Sequence, residues 1–222
     1  MTVTNSGDPA SWIIVMPVKR LDRAKSRLSS RPAGERRSLA HAFALDTLGA
    51  ALQSPSVRAV VIVTDDLLVR SDADDWGVTW IADEPDSGLS DAVAHGVQYV
   101  EHDSPNADIA ILTCDLPALR TEELTRALAA ADLVPRGFIA DASGLGTTLL
   151  TARAGIRVDP HFGPRSCAAH VASGAVALDC GPVPGLRRDV DTEVDLWDAR
   201  RLGVGPETQS AATRDRDETD RG

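Results

Sequence analysis

Apolar residues along the chain occur in short continuous runs, separated by stretches in which they recur at helical spacing. The runs predict buried strands at residues 12–16, 59–63, 78–82, 107–112, 138–140, 148–150 and 176–178. The helical spacing predicts helices at residues 34–52, 88–100 and 166–173, one that begins at Thr121, and a last one at residues 192–202. Strands that alternate with helices favour an α/β fold, with a mostly parallel mixed sheet and helices on both faces.

The pattern indicates one domain at residues 12–204, between a flexible N-terminus at residues 1–11 and a disordered polar tail at residues 205–222. No apolar run reaches the roughly 18 residues of a membrane span. The first eleven residues also lack the charged and apolar parts of a signal peptide. We therefore expect a cytoplasmic protein with no membrane partner. Three cysteines without C-x-x-C spacing indicate reduced thiols.

The net charge and the distribution of basic residues favour small anionic ligands over nucleic acid. The formal net charge of −10 disfavours nonspecific binding of nucleic acid. Small anions remain possible because 8 of the 23 basic residues fall within residues 19–37. Lys19 and Lys25, in this cluster, are the only two lysines of the chain, and their compact ammonium groups suit phosphates.

The basic cluster follows the first predicted strand, and ligands of such sheets bind beyond the carboxyl ends of the strands. Neither G-x-G-x-x-G nor a P-loop motif is present, and residues 18–30 contain no glycine. Anion binding must then depend on the side chains of Lys19, Lys25 and Arg27. The alternative is a solvated basic loop, and an exposed Lys25 would contribute little to stability.

Three aspartates are candidates for a metal site. Asp115 follows a buried strand, and Asp189 and Asp191 lie two residues apart, so they share a face if the backbone is extended. Magnesium is commonly held by one or two carboxylates together with water and phosphate oxygens. The alternative for Asp191 is to cap the last helix, although Thr192 and Asp195 have the spacing of a capping pair.

Other chemistry has less support. The five histidines lack the spacing of a metal site, and no G-x-S-x-G turn for a nucleophilic serine exists. Cys114 is interpreted as a small buried residue rather than a nucleophile. The glycine and serine in residues 161–166, at the start of a predicted helix, suit a phosphate or carboxylate. Many helices, however, begin this way only to cap themselves.

Five separated segments, in order, resemble the CofC/FbiD family of guanylyltransferases, which act in the biosynthesis of coenzyme F420. They are Pro17-Val18-Lys19 with Ala24-Lys25-Ser26-Arg27-Leu28, Leu112-Thr113-Cys114-Asp115-Leu116-Pro117, Gly144-Leu145-Gly146-Thr147-Thr148-Leu149-Leu150, Phe162-Gly163-Pro164-Arg165-Ser166 and Arg188-Asp189-Val190-Asp191-Thr192. The resemblance extends from about Trp12 to Val204. Ser90 is a departure, since relatives often carry asparagine at that position.

The resemblance implies a nucleotidyltransferase fold of the glycosyltransferase-A type, GTP as the donor and Mg²⁺ as the cofactor. It implies that Lys19, Lys25 and Asp115 are catalytic and that Mg²⁺ is held by Asp115, Asp189 and Asp191. The implied nucleotide contacts are Lys19, Lys25, Arg27, Leu89 and Ser90, and the implied acceptor contacts are Thr148, Gly163 and Ser166. The expected reaction joins GMP to phosphoenolpyruvate, gives enolpyruvyl-2-diphospho-5'-guanosine and pyrophosphate, and precedes a hand-off to the next transferase of the pathway.

Three alternatives remain open at the level of the sequence. The acceptor could be 2-phospho-L-lactate, which shares a phosphate and a carboxylate with phosphoenolpyruvate. Phosphoenolpyruvate is favoured because the arginine-rich composition and residues 163–166 resemble the actinobacterial FbiD branch. A nucleotidyltransferase for a molybdopterin or sugar phosphate would usually have a glycine-rich turn after the first strand. A non-catalytic nucleotide-binding module would not need both the lysine pair and the aspartates.

Overall fold

Seven strands form one mixed sheet in the computed structural model, which describes residues 11–83 and 88–211. The strands are β1 Trp12–Pro17, β2 Val57–Val63, β3 Thr79–Ile81, β4 Asp108–Leu112, β5 Arg136–Ala140, β6 Thr147–Ala152 and β7 Val176–Ala177. The helices are α1 Ala33–Leu52, α2 Leu67–Asp75, α3 Leu89–Asp103, α4 Thr121–Ala131, α5 Ser166–Ala172, α6 Pro184–Arg187 and α7 Glu193–Leu202.

The strand order is β3-β2-β1-β4-β6-β5-β7. Strands β3, β2, β1 and β4 are parallel neighbours, as are β5 and β7. Strand β6 is antiparallel to both β4 and β5. The predicted mostly parallel mixed sheet is therefore confirmed.

Helices cover both faces of the sheet, as the continuous apolar strands require. In β1, Trp12, Ile14 and Met16 pack into one core cluster with residues of α1 and α4. Ile13 and Val15 point to the opposite face and pack with residues of α3. Within the described residues no helix is both long and apolar enough to cross a membrane.

Within residues 11–83 and 88–205, three elements were not expected from the sequence: α2, α6 and a 3-10 helix at Leu21–Arg23. Helix α2 begins where Asp66 accepts a hydrogen bond from the backbone N–H of Leu68, at 3.0 Å. The other carboxylate oxygen of Asp66 accepts from the backbone N–H of Leu21, at 2.9 Å. One buried aspartate therefore stabilises both the new helix and the basic loop after β1.

The prediction of a disordered tail from residue 205 is wrong for residues 205–211, because residues 206–211 are helical and Thr208 and Ala211 are buried. Asp46 of α1 accepts hydrogen bonds from the backbone N–H groups of Glu207 at 3.0 Å and Thr208 at 2.9 Å. A carboxylate from a distant helix thus satisfies the free donors of this helical segment. The predictions for residues 212–222 and for the first ten residues lie outside the described residues.

Removing the Asp46 carboxylate should release this C-terminal segment. We expect Asp46→Ala to lower the free energy of unfolding by about 1–2 kcal/mol, the usual effect of losing a helix cap. At this chain length the melting temperature should fall by roughly 2–4 °C per kcal/mol. Amide hydrogen exchange should rise at Glu207 and Thr208. Asp75→Ala, at an exposed position, should change neither measurement, and unchanged exchange in Asp46→Ala would contradict the assignment.

Candidate active site

The carboxyl ends of β1, β2, β3 and β4 lie at one edge of the sheet because these strands are parallel neighbours. Strand β6 begins at the same edge, since it is antiparallel to β4 and Leu112 pairs with Leu149. The backbone N–H of Thr113 donates to the carbonyl oxygen of Thr148, at 3.0 Å. Sequence segments separated by more than thirty residues therefore meet at the edge where ligands of such sheets bind.

Lys25 lies in the basic loop after β1 and bridges two of the predicted metal ligands. Its Nζ is 2.6 Å from Asp115 Oδ2 and 3.1 Å from Asp191 Oδ1. The side chain is only 10% exposed, and the residue has a left-handed backbone, with φ of 54°. The expectation of an exposed Lys25 is therefore wrong, because a local reading of a basic loop could not include its distant acidic partners.

The charge of Lys25 is maintained by these partners. Burial by itself lowers the pKa of the ammonium group, but the carboxylates of Asp115 and Asp191 outweigh it and raise the pKa above its ordinary value. Arg27 approaches Asp191 at 3.4 Å from a side chain that is 75% exposed. Lys25 is thus the buried cation of the site, whereas Arg27 lies at its solvent-exposed rim.

Asp189 belongs to the same acidic cluster. Burial, together with the neighbouring carboxylates of Asp115, Asp141 and Asp191, raises its pKa to about 7. The backbone N–H of Val190 donates to the carbonyl oxygen of Asp115 at 3.1 Å and holds this segment against the end of β4. Repulsion among these carboxylates favours the binding of a cation.

Helix α7 does not use Asp191 as its cap. Thr192 is the capping residue, and its hydroxyl accepts from the backbone N–H of Asp195 at 3.3 Å. The Asp195 carboxylate in turn accepts from the backbone N–H of Thr192 at 2.8 Å. The predicted capping pair is confirmed, and the capping alternative for Asp191 is wrong.

The fit to a divalent cation is partial in this arrangement. Across residues 11–83 and 88–211, no three His, Cys, Asp or Glu side chains are placed so that they could together hold a metal ion. Lys25 instead lies between two of the candidates. Asp115 Oδ1, however, is buried without a hydrogen-bond partner among the described residues, and buried carboxylate oxygens without partners suit a hard cation. The metal role of Asp115, Asp189 and Asp191 stays a prediction.

Two hydroxyl groups beside Asp115 also lack partners. Thr113 Oγ1 and Thr148 Oγ1 are buried and make no hydrogen bond within the described part of the chain. Thr148 lies at an irregularity in the pairing of β5 and β6, where Ile139 pairs with Leu149 and Ala140 with Thr147. This bulge leaves Thr148 unpaired with β5, and bulges commonly redirect a side chain near a functional site.

The other predicted acceptor residues lie at the start of α5. Ser166 is its first residue, is buried, and its backbone N–H donates to the carbonyl oxygen of Gly163, at 3.1 Å. Gly163 has φ of 132°, a conformation that favours glycine. Ser90, predicted to contact the nucleotide, donates its hydroxyl to the carbonyl oxygen of Phe162, at 3.2 Å. Ser90 therefore connects the start of α3 to the loop that contains Gly163.

Two adjoining cavities occupy this edge of the sheet. The first, about 300 Å³, is lined by Lys19, Lys25, Leu89, Asp115 and Asp191 among others. The second, about 340 Å³, shares Lys19 and Leu89 and has a different set of charged residues, namely Arg20, Arg23, Asp65 and Asp83. The structure therefore brings five of the predicted residues around one cavity, whereas Thr148, Gly163 and Ser166 line neither.

Several residues of the site were not singled out from the sequence. Asp65 and Asp83 follow β2 and β3, at the carboxyl ends of strands where ligands of such sheets bind. Thr113 carried no signal in the sequence, because its hydroxyl is notable only for being buried without a hydrogen-bond partner in the described part of the chain. Burial raises the pKa of the Cys114 thiol to about 12, so this residue is not a thiolate nucleophile at neutral pH.

Comparison with known proteins identifies the family. Residues 12–174 match the family described as "Guanylyl transferase CofC like". The chain belongs to this family. A curated relative named phosphoenolpyruvate guanylyltransferase, from Streptomyces coelicolor, is 50% identical over 204 residues, which cover 91% of this chain and 96% of the relative. Relatives of the same name are 45% identical in Thermomonospora curvata (96% of this chain and 94% of the relative) and 40% identical in Mycobacterium leprae (94% and 97%).

Solved structures support the fold of this CofC-like guanylyl transferase. A putative nucleotide-diphospho-sugar transferase from Desulfovibrio desulfuricans G20 superposes with a TM-score of 0.61 at 17% identity, covering 84% of this chain and 85% of the other. A 4-diphosphocytidyl-2C-methyl-D-erythritol synthase also gives a TM-score of 0.61, at 13% identity, covering 87% and 99%. The predicted nucleotidyltransferase fold is confirmed, and the chain is a nucleotidyltransferase by family.

Proposed function

We propose that this protein transfers GMP from GTP to phosphoenolpyruvate and releases pyrophosphate. The observation that carries the proposal is the buried Lys25, which links Asp115 and Asp191 beside a cavity at the ligand edge of the sheet. Similarity to curated phosphoenolpyruvate guanylyltransferases over 91% or more of the chain supports the choice of substrates. We further propose that the reaction takes place in the cytoplasm and that the product passes to the next transferase of F420 biosynthesis.

The reaction balances as a displacement at phosphorus. A phosphate oxygen of phosphoenolpyruvate attacks the α-phosphorus of GTP, a new P–O bond forms, and the bond to the β-phosphate breaks to release pyrophosphate. The nucleophile is already ionised, so no general base is needed. The difficulty lies in bringing two polyanions together, which makes positioning and compensating charge the main contributions of the protein.

Positive side chains at the cavity supply that charge. Lys19 lines both cavities, and Arg20 and Arg23 line the larger one. Lys25 is oriented by its two carboxylate partners and lies within the smaller cavity. We assign Lys19, Lys25 and Arg27 to the triphosphate, with Leu89 and Ser90 at the same end of the site, and Lys19 and Lys25 as catalytic residues with Asp115.

Asp115, Asp189 and Asp191 are the residues that would hold Mg²⁺. Bound there, the ion would neutralise phosphate charge and make the α-phosphorus more electrophilic. Three features fit such an ion: the carboxylate oxygens themselves, the buried Asp115 Oδ1, which has no hydrogen-bond partner among the described residues, and the pKa of Asp189, which burial raises and the neighbouring carboxylates raise further. When no ion is bound, the Lys25 ammonium group neutralises part of the negative charge of Asp115 and Asp191.

The acceptor is assigned to Thr148, Gly163 and Ser166. The backbone N–H of Ser166 already donates to the carbonyl oxygen of Gly163. The hydroxyl of Ser166 is therefore the group that can donate to an anion. Thr148 contributes a buried hydroxyl that makes no hydrogen bond to the residues that the structure describes, close to Thr113 and the end of β4. Small hydroxyl donors suit the phosphate and carboxylate that any three-carbon phosphorylated acid would present.

Pyrophosphate release with crossed panels of donors and acceptors tests the proposal. We expect release that requires both GTP and phosphoenolpyruvate, with ATP, CTP and UTP much less effective. A preference for 2-phospho-L-lactate would overturn the choice of phosphoenolpyruvate as the acceptor, but it would still support guanylyl transfer. Binding of GTP with no release for any acceptor would indicate a non-catalytic nucleotide-binding module.

A further inference from the structure

His170 lies in α5 and is completely buried, with both ring nitrogens hydrogen-bonded. Nδ1 is 2.9 Å from the hydroxyl of Thr147, and Nε2 is 3.0 Å from the backbone nitrogen of His161. A backbone N–H can only donate, so Nε2 must be the acceptor. In a neutral imidazole the proton is then on Nδ1, which donates to Thr147.

The surroundings keep this imidazole neutral and in one orientation. Burial is the main cause that lowers the pKa of His170 to about 4, and the charges of His161 and Arg136 contribute to the same shift. The ring of Phe162 packs edge-on against it with centroids 5.3 Å apart, and the ring of Phe138 lies at 6.2 Å. The acceptor nitrogen toward His161 is therefore available throughout the neutral pH range.

The loop that His170 holds has an unusual backbone. Asp159 and Arg165 have positive φ values of 51° and 60°, and Gly163 between them has 132°. Non-glycine residues in this region are strained, so contacts from outside the loop must stabilise its conformation. Two such contacts are the bond from the backbone N–H of His161 to His170 and the bond from the Ser90 hydroxyl to the carbonyl oxygen of Phe162.

The three segments that carry the proposed acceptor residues all meet at His170. Thr147, its partner on β6, directly precedes Thr148. His161, its partner in the loop, lies two residues before Gly163. Helix α5 itself begins with Ser166. One buried side chain thus connects every segment that would bind the acceptor.

We propose that His170 is a positioning residue that holds Thr148, Gly163 and Ser166 in the geometry required to bind the phosphorylated acceptor. The inference rests on the proposed function, since it concerns the same acceptor site. His170 acts through its two hydrogen bonds and does not touch the substrate. Its removal should therefore affect the acceptor far more than GTP, whose proposed contacts lie on the basic loop and the start of α3.

Steady-state kinetics of His170→Leu with each substrate varied in turn tests the inference. Leucine has a side chain of similar size but is apolar, so it fills the site and removes both hydrogen bonds. We expect KM for phosphoenolpyruvate to rise by about tenfold or more, as misplaced binding groups would require. KM for GTP should stay within about twofold. His170→Gln, which can place an amide oxygen toward the His161 N–H, should recover much of the acceptor affinity.

Val100→Ala is the control for general destabilisation, because Val100 is buried in α3 in the core cluster that also contains Phe138, a neighbour of the His170 ring. It should lower the melting temperature without separating the two KM values. Parallel changes of both KM values in His170→Leu, or no recovery in His170→Gln, would overturn the inference. If His170→Leu does not fold, Thr147→Val takes its place, because it removes the hydroxyl partner of His170 Nδ1. A wild-type KM for phosphoenolpyruvate in Thr147→Val would then overturn the inference. Absence of wild-type transfer to phosphoenolpyruvate would instead overturn the proposed function, and this inference with it.

Discussion

Asp115→Asn is expected to lower kcat/KM by at least about 100-fold, which corresponds to about 2.7 kcal/mol of transition-state stabilisation. The carboxylate pairs with Lys25 through Oδ2, and its buried Oδ1 has no partner among the described residues. An amide has nearly the same shape but lacks the charge that orients Lys25 and attracts a cation. The measurement is steady-state pyrophosphate release with GTP and phosphoenolpyruvate, together with a melting curve.

Asp22→Asn is the matched control, since Asp22 is an exposed carboxylate in the same basic loop and pairs with Arg20 at 3.2 Å. It should retain kcat/KM within about twofold, as expected for an exposed ion pair. Wild-type turnover in Asp115→Asn, or wild-type rates in excess EDTA, would contradict the role given to the carboxylates.

Lys25→Met should also reduce kcat/KM by at least about 100-fold, because it removes a buried cation from a site that joins two polyanions. The second expected effect concerns metal binding. In the wild-type protein a divalent ion must compete with the Lys25 ammonium for Asp115 and Asp191. The variant lacks this competitor, so Mg²⁺ without nucleotide should raise its melting temperature more than it raises that of the wild type.

Without Mg²⁺, Lys25→Met should be less stable than the wild type by about 1–3 kcal/mol, less than a fully buried pair would lose because Asp191 is half exposed. Arg27→Met is the control for stability and metal binding, because Arg27 is largely exposed and its ion pair with Asp191 is long, at 3.4 Å. Arg27→Met should change the free energy of unfolding and the response of the melting temperature to Mg²⁺ only slightly. An equal response of Lys25→Met and wild type to Mg²⁺ would show that Lys25 does not occupy part of the metal site.

The sequence predicted the elements whose cause is local. Strand β1 is a run of apolar residues that ends at Pro17, and alternating residues of that run pack on the two faces of the sheet. The capping pair of Thr192 and Asp195 is equally local and is found as predicted. The rule that ligands bind at the carboxyl ends of strands located the basic loop and Asp115 at one edge.

Features that depend on distant partners were missed. Lys25 is buried because Asp115 and Asp191, 90 and 166 positions away, neutralise it. The C-terminal helical segment forms because Asp46, more than 160 positions earlier, accepts its free N–H groups. Helix α2 has a polar second half, Ser71 to Asp75, that carried no apolar stripe. For Lys25 and the C-terminal segment the stabilising contact is tertiary and leaves no periodic signal in the segment itself, whereas α2 begins at a local cap, Asp66.

The most direct test of the account is to identify the product formed by the purified protein from GTP, phosphoenolpyruvate and Mg²⁺. Phosphorus NMR and mass spectrometry should show one equivalent of pyrophosphate for each molecule in which GMP is joined to the enol phosphate through a diphosphate. Omitting phosphoenolpyruvate should abolish both signals. Release of pyrophosphate with free GMP, or of inorganic phosphate with GDP, as the only nucleotide product would contradict guanylyl transfer to phosphoenolpyruvate.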